Sequence, residues 1–267
     1  MQDRIQHVGS GLRDIDTDWA RLTEKLVMKN IFNMKFLPFT ACALAALAGI
    51  SRSASAENVV LTVTGTIIPA SCTPTLGNGG VIDYGYIKAD TLSATAFTTL
   101  ASKSIDFSIA CSGPVKVAIT AVNGRPGTLA GAAESGSQSA GTSPVALLGF
   151  ATPAVVGLGL DGTKKIGGYA IRVSPSTFIA DTNAVVNIGQ NSIDDPATWN
   201  TSNVNLYNQA APYRKISWAA TSTTVPVSFT NLAGKLDVHA YINKTTDLDI
   251  THAFALDGMT TIEIIYL

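Results

Sequence analysis

"TIEIIYL", residues 261–267, stands last in the sequence. At a period of two, Ile262, Ile264 and Tyr266 share one face of a strand, and Glu263, Ile265 and Leu267 share the other. No turn, helix or polar tail comes after it. An apolar strand with an open edge presents a row of N–H and C=O groups that invites pairing with another chain. Why the sequence carries such an edge here is a question that the rest of the chain has to answer.

Composition sets the class. Charged residues make up 14% of 267 and the formal net charge is -1. A large core is possible, and no basic excess points to nucleic acid or an anionic membrane. Long Glu/Lys-rich helical patterns are missing, which favours short strands joined by tight turns.

The first fifth reads differently. In "MKFLPFTACALAALAGISRSASA", residues 34–56, a lysine precedes an apolar run from Phe36 to Ile50, and small residues end at Ala54-Ser55-Ala56. That order is a secretory signal peptide. The run is shorter than the ~20 residues of a membrane-spanning helix and contains Pro38. Apolar sequence continues past Cys42, which argues against lipidation there. Residues 1–33 include an amphipathic "TDWARLTEKL" with Thr17 as helix cap. They read as an extended signal n-region or a start codon assigned too early, Met28 or Met34 being the alternatives.

Cleavage after Ala56 leaves residues 57–267 as one domain, with a net charge of −3 and two cysteines, Cys72 and Cys111. An even pair in an exported chain predicts one disulfide. The loop it closes contributes roughly 4 kcal/mol in the chain-entropy description. Two thiols with only His239 and His252 do not make metal-ligand spacing.

Short alternating runs fill this part. "VVLTVTGTIIPASC" puts Val59, Leu61 and Val63 on one face, and "GGVIDYGYI" and "VKVAITAV" repeat the period. "SKSIDFSIAC" sets Ile105, Phe107 and Ile109 inward. "GLGLDGTKKIGGYAIRV" reads as a hairpin around Asp161–Lys165. "YRKISWAAT", "VPVSFTNL", "KLDVHAYIN" and "DLDITHAF" read as four further strands. The fold class expected is an all-β sandwich of two packed sheets. Two stretches stand outside it. Residues 123–144 are Gly/Ala/Ser-rich and predict a mobile loop. Residues 188–213 are polar and irregular but carry Trp199, Tyr207 and Tyr213.

Taken together, "VTGTIIPASC", "VIDYGYI", "SIDFSIAC" with its cysteine, and "IEIIYL" with a penultimate tyrosine resemble chaperone–usher fimbrial subunits of Gram-negative bacteria, in a pilin-like branch without individually assigned functions. "GLGLDG" and "KIGGYAIRV" add weaker support. The resemblance implies an incomplete immunoglobulin-like fold lacking its final strand. A periplasmic pilus chaperone lends that strand first, and the neighbouring fimbrial subunit then replaces it at the outer-membrane usher. Ile262, Ile264 and Tyr266 would wall the groove, and Val59, Leu61 and Val63 would form the donor arm. Main-chain hydrogen bonds would hold the added strand, and alternate side chains would set its register. Two features depart from the pattern. The glycine such subunits carry ahead of the last strand is displaced: Phe254 stands near its place and Gly258 is the nearest glycine. If the first strand begins near Val63, only "ENVVLT" precedes it, where an arm spanning a sheet edge wants roughly ten residues. Cleavage after Ala48 would lengthen the arm.

No catalytic set stands out, and the expectation is a protein that is not an enzyme, with no cofactor and no metal. "GSQSA" is not a nucleophile elbow. Asp237 and His239 share a strand face as a surface polar pair. Asp194, Asp195, Asp247, Asp249 and Asp257 sit in turn chemistry rather than calcium-loop spacing. Trp199, Tyr207 and Tyr213 either pack the insertion down or meet a ligand. The sequence thus predicts a structural fimbrial subunit exported through the periplasm to the cell surface. The alternative is a tip adhesin that binds a host glycan or protein through residues 190–213.

Overall fold

A computed structural model describes residues 57–191, 198–201, 204–210 and 213–267. The leading extension, the signal segment with Cys42, and Asp194 and Asp195 lie outside the described residues. Two compact units are distinguished, divided between Val63 and Thr64, and the β-structure belongs to the second.

Among the described residues, fourteen strands make the protein all-β. They are β1 Cys72–Leu76, β2 Thr98–Thr99, β3 Lys103–Val115, β4 Val117–Asn123, β5 Gly141–Thr142, β6 Ala154–Gly157 and β7 Leu160–Asp161. After these come β8 Lys164–Lys165, β9 Gly167–Val173, β10 Ile179–Ala180, β11 Asn183–Gln190, β12 Lys215–Ala220, β13 Phe229–Ile242 and β14 Thr260–Tyr266. All named strand pairs are antiparallel.

One layer runs β1–β3–β13–β9–β6, and the other runs β14–β4–β12–β11. The short β10 pairs with both β13 and β11 and so carries the chain from one layer to the other. Alternation drives the first layer: Ile105, Phe107, Ile109 and Cys111 of β3 are all buried. Between the layers Phe107 meets Phe178, Phe178 meets Trp218, and Trp218 meets Phe229, at centroid separations of 6.4, 5.2 and 6.1 Å. That aromatic column is the centre of the sandwich, and Trp218 in it is 0% exposed. The predicted disulfide is present, joining Cys72 of β1 to Cys111 of β3 at directly paired positions.

Four readings of the sequence need correction. Residues 57–71 and 81–88 form no strand, although both alternate. "VPVSFTNL" and "KLDVHAYIN" are not two strands, because β13 runs unbroken from Phe229 to Ile242 through Gly234. "DLDITHAF" holds a short 3-10 turn and irregular chain. Residues 123–144 are built into the fold. Leu129, Ala130 and Ala140 are buried there, and Leu129 belongs to a second apolar cluster with Leu147, Val155 and Tyr241. The buried Gln138 fixes this stretch. Its Nε2 donates to the carbonyls of Ala121 and Leu206, and its Oε1 accepts the N–H groups of Asn208 and Arg214.

Candidate functional site: an open edge beside the last strand

β14 pairs with β4 alone among the described residues. The register, with the bonds Gly124 N–H to Met259 C=O and Leu267 N–H to Lys116 C=O, sets the parity of the ladder. Odd-numbered residues of β14 therefore bond to β4. The N–H and C=O groups of Thr260, Ile262, Ile264 and Tyr266 point the other way, toward an edge that carries no strand.

Beside that edge lies a groove of about 180 Å³. Thr260 and Ile262 of β14, with Leu256 and Gly258 just before it, form one wall; Leu76, Ile82 and Tyr84 form the other. Its floor is the interior of the sandwich, with Ile105, Tyr169, Leu236 and Val238 reaching it. The far wall cannot close the gap, because β1 pairs only with β3 and residues 81–88 belong to no strand. The groove is thus an opening onto the apolar core.

Its ends are held. At one end the Cys72 N–H donates to the Tyr266 hydroxyl at 2.8 Å, tying β14 to the disulfide. At the other, Thr260 Oγ1 contacts the hydroxyls of Tyr169 and Tyr207 at 2.7 and 2.8 Å. Burial pushes the Tyr169 phenol up to about 12 and raises that of Tyr207 further, so both stay protonated. Gly258 has a packing reason to be glycine: a Cβ there would stand 2.8 Å from the Tyr169 ring. Irregular residues 249–258 lead into β14 and are pinned to the β7–β8 hairpin. His252 Nε2 meets Asp161 at 3.0 Å, the Asp257 N–H donates to the Leu158 carbonyl, and Arg125 holds the Asp257 carboxylate with two bonds of 2.8 Å.

Of the residues expected to wall the groove, Ile262 lines it, whereas Ile264 packs against the core and the half-exposed Tyr266 accepts from the Cys72 N–H, neither of them lining it. Val59, Leu61 and Val63 of the expected donor arm are exposed and outside any strand. The three aromatics of the insertion do not converge. Tyr207 is 1% exposed with its hydroxyl committed to Thr260, whereas Trp199 and Tyr213 are half-buried. Tyr213 lines a separate depression beside Glu263 on the β4–β14 surface, and the Lys215 ammonium lies 5.8 Å from its ring centroid. Asp237 does not orient His239. It accepts from Ser104 and Arg172 instead, while His239 Nδ1 accepts the Leu148 N–H and Nε2 faces the Leu100 carbonyl. Sequence reasoning missed Tyr84, Tyr169, Leu256 and Thr260, since nothing local marks residues far apart in the chain as neighbours around one opening.

Fold and groove together define an open-edged, disulfide-bonded β-sandwich. Residues 61–170 match a protein-family model described as "Protein of unknown function (DUF1120)". The chain is 28% identical over 223 residues to "Uncharacterized protein YhcF" of Escherichia coli strain K12, covering 80% of this chain and 92% of that protein. It is 27% identical over 243 residues to "Protein GltF" of the same organism, covering 85% of this chain and 95% of the relative. No solved structure matches the chain significantly.

Proposed function

We propose that this chain is a structural subunit of a chaperone–usher surface fimbria, exported through the periplasm and assembled by strand exchange. It takes no part in bond-making catalysis. The supporting observation is the groove beside β14, with two unpaired rims and an apolar floor. Burying such a floor and satisfying such an edge calls for a β-strand from another chain. A periplasmic pilus chaperone supplies it during export, and a neighbouring subunit supplies it at the usher and in the fibre. The resulting fibre contributes to cell adhesion.

The donor arm gains length in this reading. The first strand begins at Cys72, not near Val63, so cleavage after Ala56 leaves Glu57–Ser71, fifteen residues, ahead of it. That exceeds the roughly ten a sheet edge demands. Along it Val59, Leu61, Val63 and Ile67 fall on one face with Gly65 among them. The test is periplasmic expression of the full precursor with and without a cognate pilus chaperone, read by size exclusion and intact mass. Recovery only as a one-to-one complex is expected. Accumulation alone as a stable oxidised monomer would refute the open-edge reading.

A further inference from the structure

Away from the groove rims, a polar pocket of about 300 Å³ opens between residues 150–154 and the 205–214 stretch. Arg214 reaches into it and is only 9% exposed. Its main chain is fixed on both sides, the N–H donating to Gln138 Oε1 and the carbonyl accepting from Thr120 Oγ1. Its guanidinium gives Nε–H to Asn191 Oδ1 at 2.6 Å and Nη1–H to the Asn205 carbonyl at 3.5 Å, both neutral acceptors. Among the described residues no carboxylate pairs with it and no acceptor engages Nη2. Burial lowers its proton affinity. A buried cation without a counterion destabilises the fold that holds it.

A second polar group in the pocket lacks a partner. Asn205 Oδ1 is shut from water and accepts no hydrogen bond. The remaining walls include the Phe150 and Pro153 side chains and the Gln209 amide. The pocket therefore offers a planar cationic fork and an amide suited to hydroxyl groups within a mostly polar lining.

We propose that this pocket binds an acidic sugar, a monosaccharide unit carrying a carboxylate, with the carboxylate on Arg214 and ring hydroxyls on the Gln209 amide. A lone guanidinium matches a carboxylate in bidentate fashion. The volume is at the small end of ligand sites and suits one saccharide unit. Neither groove rim lines the pocket, and only Tyr207, whose hydroxyl bonds Thr260, links the two, so the site would make the subunit a receptor-binding one.

The experiment is ligand-observed NMR titration of the purified full-length mature protein with glucuronic, galacturonic and N-acetylneuraminic acids, against glucose, galactose and propionate. At least one acidic sugar is expected to saturate, with its neutral parent and propionate weaker by about tenfold or more, the factor carried by one charge-assisted hydrogen bond. Arg214→Gln should abolish binding and Arg214→Lys should weaken it, whereas Trp199→Ala should leave it unchanged. If Arg214→Gln does not fold, Gln209→Ala replaces it and should weaken the sugar more than propionate. Absence of saturation at millimolar sugar, equal binding of neutral and acidic sugars, or equal binding of propionate would overturn the proposal. So would non-additive destabilisation of Arg214→Gln with Asp194→Asn or Asp195→Asn, which would show an internal ion pair. Failure of chaperone dependence leaves these readouts untouched, so the two readings fail separately.

Discussion

Thr260 shows how much of the site depends on single side chains. One hydroxyl serves two buried phenols at the mouth of the groove, so Thr260→Val keeps the shape and removes both contacts. Leaving buried polar groups unsatisfied destabilises by about 1–3 kcal/mol. The loss should nearly vanish when Tyr169→Phe and Tyr207→Phe are made together with it, because all partners are then removed at once. Denaturant unfolding of the four combinations checks this. His252 carries a pH dependence. The Asp161 carboxylate, by hydrogen bond and charge, with Asp249 adding, raises the His252 imidazole above its ordinary 6.5. A raised folded value means the tether of 249–258 is complete below 6.5 and is lost as pH climbs through the elevated value. Amide exchange across 249–256, corrected for intrinsic rates, should quicken over that window, and Asp161→Asn should flatten the response. A pH-independent exchange rate in the native protein would contradict it.

At the scale of elements, β14 makes the sharpest forecast. The amides of Ile262, Ile264 and Tyr266 face the open edge, and those of Thr261, Glu263 and Ile265 face β4. Hydrogen exchange in the free subunit should alternate, fast at even positions and slow at odd ones. An added strand should slow the even set by about a hundredfold or more, as local opening gives way to the stability of a paired central strand. Protection of all six before addition would mean the edge is already covered. The same comparison shows what could be read from sequence and what could not. β3 was legible because its alternation coincides with burial on one face. Residues 81–87 alternate equally well yet form no strand, since alternation reports a period while a strand needs a partner. By composition the 123–144 stretch reads as a mobile loop. Its order comes from Gln138 bonds spanning 68, 70 and 76 positions, which no local pattern reveals. The alternation of β14 is legible in the final residues; the residues that face it across the groove are not.

Across the whole molecule, the groove beside β14 and the exposed Val59, Leu61, Val63 and Ile67 ahead of Cys72 are both apolar. The core is complete around the Trp218 column, while its flank at Tyr84 and Val238 opens to solvent through the groove. A strand bound there stabilises the folded state by mass action, by about 2.7 kcal/mol at a hundredfold excess over its dissociation constant. For a domain of this size each kcal/mol shifts the melting temperature by about 2–4 °C. A synthetic peptide of residues 57–71, added to subunit lacking that segment, is therefore expected to raise the midpoint by roughly 5–10 °C. Leu61→Asp in the peptide should abolish the shift, because it places a charge among side chains directed at the apolar floor. Val60→Asp should be tolerated, because in a strand that residue faces away from it. Equal effects of the two peptides would mean that binding does not follow strand register. A parity-dependent pair would establish that the arm of one copy completes the sandwich of another.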